Sequence, residues 1–247
     1  MKEIPENSSV FEVLDESSAS SLDLGYQRRH CSVCPYIPLP DSIDPIMRRL
    51  TKNKRQNLKR YTQKLEDKCK IQFKRYDEMN YSTAEAMKAF IELHQERWKS
   101  ENKPGIFESQ EVCDFHVEIA SRFAEKDWLG LYFLMADDKP ISVQYTFEYG
   151  HKMYYYQSGF DPEYSRYSVG NLMIRLVLEE CIRKRFREYD MLRSNPSYKM
   201  EWTDETRKNF QIRFVTRKLE SRFYNWITSS NAIDRMAEKL HLGLSLE

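Results

Sequence analysis

The segment from residue 154 to 172 holds the residues whose types and spacing are best suited to chemistry. An aromatic run ending at Phe160 predicts a strand, Asp161-Pro162 predicts a turn, and a polar loop leads to Gly170. An aliphatic sequence typical of a helix begins at Asn171. The first N–H groups of a helix have no partner inside it and lie at the positive end of its dipole. The segment therefore predicts a binding site for a phosphate or pyrophosphate.

The same segment resembles the cofactor loop of the GNAT acetyltransferase superfamily. Pro162, Tyr164 and Gly170 stand at the offsets of that motif, whereas Arg166 and Ser168 replace two of its glycines. In GNAT proteins this loop holds the pyrophosphate of acetyl-coenzyme A (acetyl-CoA). The resemblance therefore implies acetyl-CoA as the acyl donor. It implies cofactor contacts from these residues: Phe160, Arg166, Ser168, Val169, Gly170 and Asn171.

Further motifs follow in collinear order, and together they resemble the CelD/BcsL-like branch of GNAT proteins. That branch is related to the Fem-type aminoacyltransferases. The motifs are Cys34 to Pro40, Lys54 to Arg60, Leu93 to Trp98, Ser158 to Leu172, Tyr189 to Arg193 and Tyr198 to Trp202.

Direct attack of an acceptor on a thioester needs groups that take and give protons. The resemblance implies that Tyr198 protonates the leaving thiolate, with packing on Trp202 as the alternative interpretation. It also implies that a backbone N–H near Ser158 to Phe160 stabilises the reacting carbonyl. Glu148 lies on a predicted central strand and is the candidate general base, or else a charge at a strand edge.

Three residues of one predicted helix are candidates for substrate binding. His94 and Arg97 are three positions apart, so they lie on the same face, and Trp98 is adjacent. Lys199 is a fourth candidate, for a phosphate or an acidic group of the substrate. Because lysine is mostly exposed in proteins, a solvated side chain is the alternative at that position.

Composition limits the class of protein. A chain of 247 residues can bury one sizeable core or two small ones. Its five cysteines are scattered and form no disulfide framework. Cys31 and Cys34 lack a second Cys/His pair at short spacing, so we expect no metal site. Without a long apolar run or a secretory signal, the expected location is the cytoplasm.

Hydrophobic periodicity predicts strands and helices in the order β-α-α-β-β-β-α-β-α-β, followed by a helix. This order is α+β and matches a single GNAT domain, with a mixed, mostly antiparallel sheet flanked by helices. We expect a polar and partly disordered lead-in over residues 1–34 and a GNAT-like domain over 35–217. A C-terminal helix over 218–247 is expected to pack on the domain. One helix is also predicted from Asp44 through Leu65.

The expected activity is transfer of an acetyl or other acyl group from acyl-CoA to an amine or hydroxyl. By resemblance, the acceptor is a sugar, a polysaccharide precursor or an amino compound, and it attacks directly in a ternary complex. Many relatives carry two domains in tandem, so we expect a second GNAT-like domain from a homodimer or a separate chain.

Two alternatives stay open. A Fem-type enzyme would use aminoacyl-tRNA, bound through Lys52 to Lys70, although a net charge of +1 does not favour nucleic acid. The other alternative is a catalytically inactive binding or scaffold module, which the replaced loop glycines would fit.

Overall fold

A computed structural model describes residues 1–19, 24–193 and 198–216. The strands are β1 Ile4–Pro5, β2 Leu24–Pro38, β3 Ile71–Arg75, β4 Leu129–Ala136, β5 Lys139–Tyr149, β6 Lys152–Phe160, β7 Glu188–Asp190 and β8 Thr206–Thr216. The helices are α1 Val10–Ala19, α2 Asp44–Arg49, α3 Lys52–Glu66, α4 Thr83–Ser100, α5 Gln110–Ala124 and α6 Val169–Arg183. Short 3₁₀ helices cover Tyr76–Glu78 and Pro162–Tyr167.

The larger of two compact units spans Cys34–Thr206. Its strands follow the order β2, β7, β6, β5, β4, β3, and the part of β2 that belongs to this unit is its C-terminal end. The β6–β7 pair is parallel, and the other neighbours are antiparallel. The prediction of a mixed, mostly antiparallel sheet flanked by helices is therefore confirmed.

Both faces of this sheet are covered by helices, as the sequence of β4 requires. All eight residues of β4 are buried, and successive side chains of a strand point to opposite faces. Leu131 and Phe133 enter the core built with α4 and α5, whereas Tyr132 and Leu134 enter the core built with α3 and α6. The sheet is thus the middle of three layers.

Local sequence signals explain where several helices begin. The sequence from Ser82 to Glu85 fits a capping box, and at the start of α4 each of these two side chains accepts a hydrogen bond from the other's backbone N–H. The helix predicted from Asp44 is in fact two helices, because the chain is extended at Leu50. Thr51 then caps α3 by accepting a hydrogen bond from the N–H of Lys54.

The smaller unit comprises Met1–Val33 and the described residues from Arg207 onward. Within it, β1 pairs with β8, and Arg28 lies 3.8 Å from the ring of Phe11 and 3.9 Å from that of Phe210. Where a polar lead-in was expected, the described residues therefore form β1, α1 and most of β2. The division into segments 1–34, 35–217 and 218–247 stays a prediction, and its last segment lies outside the described residues.

Candidate functional site

Strand β6 extends beyond the end of β7, its parallel neighbour. Among the described residues, β6 pairs with β7 over Lys152–Tyr154, after which β7 ends at Asp190 and β6 continues to Phe160. A cavity of about 440 Å³ lies beside this continuation, and we call it the β6/α6 cavity. Its lining residues are Lys54, Arg97, Tyr155, Ser158, Phe160, Ser165, Ser168, Val169, Gly170, Asn171, Ile174, Tyr198 and Glu201.

The first turn of α6 forms one wall of the cavity. Ser168 precedes the helix with a φ of 54°, and its Oγ accepts a hydrogen bond from Asn171 Nδ2 at 2.9 Å. The N–H groups of Val169 and Gly170 are the first two of the helix, where no partner exists within the helix itself. A Cβ added at Gly170 would have Phe160 as its nearest neighbour at 3.9 Å, so this wall has room for a ligand. The geometry fits an anion held by a helix N-terminus.

A close approach of α4 to β6 positions a cation at the cavity. A Cβ at Gly159 would lie 2.4 Å from the backbone nitrogen of His94, so the helix can pack there only against glycine. One helical turn later, Arg97 Nη1 donates to Ser158 Oγ at 3.2 Å. Its guanidinium also lies 5.1 Å from the centre of the Phe160 ring. Arg97 is thus fixed at the cavity by its contacts with β6.

A β-bulge gathers hydroxyl groups on one side of β6. The β5–β6 register shifts between Tyr145 and Thr146, which adds one residue to β6. Residues three apart in a regular strand face opposite sides, yet Tyr155 Oη lies 2.7 Å from Ser158 Oγ. Tyr198 is 38% exposed and its Oη is 3.5 Å from Tyr155 Oη, so partial burial together with Tyr155 raises the pKa of Tyr198 above its ordinary value. Tyr198 therefore remains a protonated hydroxyl at neutral pH, as a proton donor must.

An ion pair forms another part of the lining. Lys54, near the start of α3, pairs with the carboxylate of Glu201. Burial lowers the pKa of Lys54. A neighbouring cavity of about 350 Å³ shares both residues and is also lined by Arg49, Thr51, Met200 and Asp204.

The structure brings seven of the predicted site residues together at this cavity: Arg97, Phe160, Ser168, Val169, Gly170, Asn171 and Tyr198. Five others do not line it: Glu148, His94, Trp98, Arg166 and Lys199.

Glu148 lies at the other end of the sheet. It pairs with Met153 across β5 and β6, and Ser158 lies five positions further along β6, roughly 16 Å at the usual rise. The buried Glu148 carboxylate accepts hydrogen bonds from Tyr132 Oη at 2.6 Å and Lys184 Nζ at 2.8 Å. These contacts explain the residue as part of a buried ion pair, and its position gives it no access to the cavity.

His94 faces the core rather than the cavity, and the partly buried Trp98 contacts it. The side chain of His94 is fully buried, and its Nε2 accepts a hydrogen bond from Trp98 Nε1 at 2.9 Å. Its ring also contacts Phe107 edge to face at 4.9 Å. Burial lowers the pKa of His94 to about 4, so the imidazole is neutral at physiological pH.

Lys199 and Arg166 have other surroundings as well. The buried Lys199 donates to the carbonyl oxygens of Met191 and Leu192, just after β7, and burial lowers its pKa to about 8. Arg166 is exposed, and its guanidinium lies 5.0 Å from the ring centre of Tyr167.

Several cavity residues were not predicted from the sequence as side-chain contacts: Lys54, Tyr155, Ser158, Ser165, Ile174 and Glu201. Lys54 and Glu201 stand in two of the motifs, so their presence there was the available signal. Tyr155 lies in an aromatic run of the kind that strands favour, so the sequence offers packing in the sheet as its simplest interpretation.

Within the described part of the chain, no group of three or more His, Cys, Asp or Glu side chains is arranged to hold a metal ion. None of the helices described is both long and apolar enough to cross a membrane.

Several solved structures are similar to this chain in fold. FemX superposes with a TM-score of 0.58 at 9% identity, covering 91% of this chain and 72% of FemX. A conserved protein of unknown function from Bacteroides thetaiotaomicron superposes with a TM-score of 0.54 at 10% identity, covering 86% of this chain and 68% of that protein. The C-terminal domain of a putative lysylphosphatidylglycerol synthetase from Agrobacterium fabrum superposes with a TM-score of 0.54 at 8% identity. The match covers 93% of this chain and 70% of that domain's chain. At these identities the likeness shows the fold alone.

No curated protein sequence matches the chain. The family model of the acetyltransferase (GNAT) domain matches residues 52–200, more than half of the 247 residues. This match includes β6, the first turn of α6 and most of the cavity lining. The chain belongs to the GNAT family of acetyltransferase domains.

Proposed function

We propose that the chain is an acyltransferase that uses acyl-CoA, with acetyl-CoA as the first donor to test. The observation that carries the proposal is the β6/α6 cavity, where the continuation of β6 beyond β7 faces the N-terminus of α6. The N–H groups of Val169 and Gly170 would hold the pyrophosphate, because helix N-termini attract phosphate. The part of β6 beyond β7 offers backbone groups to the amide-containing arm.

The side chains of the cavity suit this chemistry. The bound donor supplies a thioester, whose acyl carbon an amine or hydroxyl can attack. Tyr198 stays protonated at neutral pH and would donate to the leaving sulfur, with Tyr155 and Ser158 orienting its hydroxyl. Arg97 adds positive charge close to the phosphate site. Glu148 is not part of this proposal, because its carboxylate lies at the other end of the sheet.

The acceptor is a separate proposal that rests on resemblance. The motifs around Ser158 to Leu172 and Tyr198 to Trp202 resemble the CelD/BcsL-like branch. We therefore propose a sugar, a polysaccharide precursor or an amino compound as the acceptor. A fold by itself does not define a substrate, so an acceptor screen follows only after donor binding is established.

A Fem-type aminoacyltransferase is the second candidate. The likeness to FemX over 91% of the chain favours it, although at 9% identity that likeness concerns the fold. This candidate predicts that charged tRNA binds the basic α3, with an affinity that falls steeply as salt rises. Absence of salt-dependent tRNA binding would remove it.

A thermal-shift titration with acetyl-CoA tests the proposed function. A donor present at about 100 times its dissociation constant adds about 2.7 kcal/mol of apparent stability. Gly170→Trp should abolish the shift by filling the cavity beside Phe160, whereas Lys88→Trp, on the exposed face of α4, should keep it. No shift in the wild type would contradict acyl-CoA binding, and an equal shift in Gly170→Trp would contradict this location. Binding without release of free CoA in an acceptor screen would favour a non-catalytic module.

A further inference from the structure

Lys54 occupies a position in the β6/α6 cavity that the proposed reaction does not use. Of the residues that line the cavity in the described chain, Lys54 carries the single primary amine. The side chain extends from α3 into the wall that also includes Gly170 and Tyr198, and only 20% of it is exposed. The amine of Lys54 therefore lines the cavity in which, under the proposed function, the acyl donor binds.

The surroundings of Lys54 also suit a nucleophile. An amine attacks only in its neutral form, and partial burial favours that form. The carboxylate of Glu201 pairs with Nζ and can take its proton. Burial lowers the pKa of Lys54, which increases the fraction of neutral amine at a given pH.

We propose that Lys54 is a site of self-acylation, at which the chain transfers an acyl group from acyl-CoA to its own Nζ. This inference rests on the proposed function, because the cavity must first bind the donor. It adds a modification site and a nucleophile to that function. A donor bound in this cavity would share it with the amine, which replaces a bimolecular encounter by an intramolecular one.

The step balances with the groups present. Lys54 Nζ gives one proton to the Glu201 carboxylate and keeps a lone pair. That lone pair forms a bond to the acyl carbon while the thioester C–S bond breaks. The Tyr198 hydroxyl donates its proton to the departing sulfur and receives the second Nζ proton in return. The products are an amide on Lys54, free CoA thiol and one proton, which Glu201 releases to solvent.

Acylation would change the site itself. An amide carries no charge, so the ion pair between Lys54 and Glu201 would be lost. Both residues line the β6/α6 cavity and its neighbour, so the modification would alter the wall that the two cavities share.

Mass spectrometry of the full chain after incubation with acetyl-CoA tests the proposal. Lys52 and Lys59 are exposed residues of the same helix and serve as internal references for unassisted acetylation. We expect Lys54 to acquire acetyl groups about tenfold faster than either reference, because the bound donor is held beside it. The excess should disappear in Gly170→Trp and persist in Lys88→Trp. Glu201→Gln should slow labelling of Lys54 without affecting Lys52 or Lys59.

Thermal shifts measured on the same samples separate the two claims. A shift with acetyl-CoA, combined with Lys54 labelled no faster than Lys52 and Lys59, would overturn self-acylation and leave the proposed function standing. If acetyl-CoA causes no thermal shift and Lys54 is labelled no faster than Lys52 and Lys59, both claims would be overturned. An excess at Lys54 that persists in Gly170→Trp would also overturn the proposal, because the donor would not act from this cavity. Equal labelling of Lys54 in Glu201→Gln would overturn the role given to Glu201.

Discussion

The contact between Gly159 and α4 allows a quantitative prediction. A Cβ at this position would lie 2.4 Å from the nitrogen and 2.8 Å from the Cα of His94, and 2.6 Å from the carbonyl carbon of Leu93. Ordinary contact begins at 3.4 Å, so in Gly159→Ala the helix backbone must retreat by about 1 Å. Overpacking typically costs about 1–3 kcal/mol, and we expect the upper end because backbone atoms cannot rotate away. The same retreat would draw Arg97 from Ser158.

Urea denaturation measures this loss. With a denaturant slope of about 2 kcal/mol/M, a loss of about 3 kcal/mol lowers the unfolding midpoint by about 1.5 M. Gly105→Ala is the matched control, since its Cβ would meet mainly the amide end of the Gln95 side chain, which can rotate away, and would approach His94 Cε1 only to 3.2 Å. We expect the control to lose less than about 1 kcal/mol. Equal midpoints for wild type and Gly159→Ala would refute the close packing of α4 on β6.

Three further perturbations give expected outcomes. Tyr198→Phe should lower acyl transfer by about 100-fold, followed as thiol release, while the acetyl-CoA thermal shift persists. Glu148→Gln should lower the free energy of unfolding by about 2–3 kcal/mol, because it leaves the Lys184 ammonium without its buried partner, and it should spare the acetyl-CoA shift. Since the pKa of His94 falls to about 4 on folding, its imidazole takes up a proton more readily in the unfolded chain than in the folded one. Stability should therefore be lost as pH falls from about 6.5 to 4, by up to about 3 kcal/mol, and His94→Gln should flatten this dependence in denaturant titrations at each pH.

The parts of the fold that sequence predicted are those with local signals. Hydrophobic patterning indicated β4, β5 and β6, and the capping-box sequence from Ser82 to Glu85 indicated the start of α4. The turn at Asp161 and the glycine at Gly170 placed the first turn of α6, which does line the cavity. These signals depend on residues that are close in sequence, so they can be recognised in a single amino-acid sequence.

The remaining features depend on contacts between distant segments. Sequence placed Glu148 on a central strand, but only the β5–β6 register shows that it lies away from the cavity. Tyr155 and Ser158 lie on the same side of β6 because of a β-bulge, and no local sequence pattern predicts that bulge. The basic run containing Lys54 was visible, whereas its pairing with Glu201 required the fold.

Hydrogen exchange tests the central claim most directly, because it reports which amides the donor protects. On addition of acetyl-CoA, we expect slower exchange at Ser158 to Phe160 and at Val169 to Asn171, with no change at β3. Protection at both segments that disappears in Gly170→Trp and persists in Lys88→Trp is the predicted result. Protection confined to other parts of the chain, or none at all, would contradict acyl-CoA binding in the β6/α6 cavity.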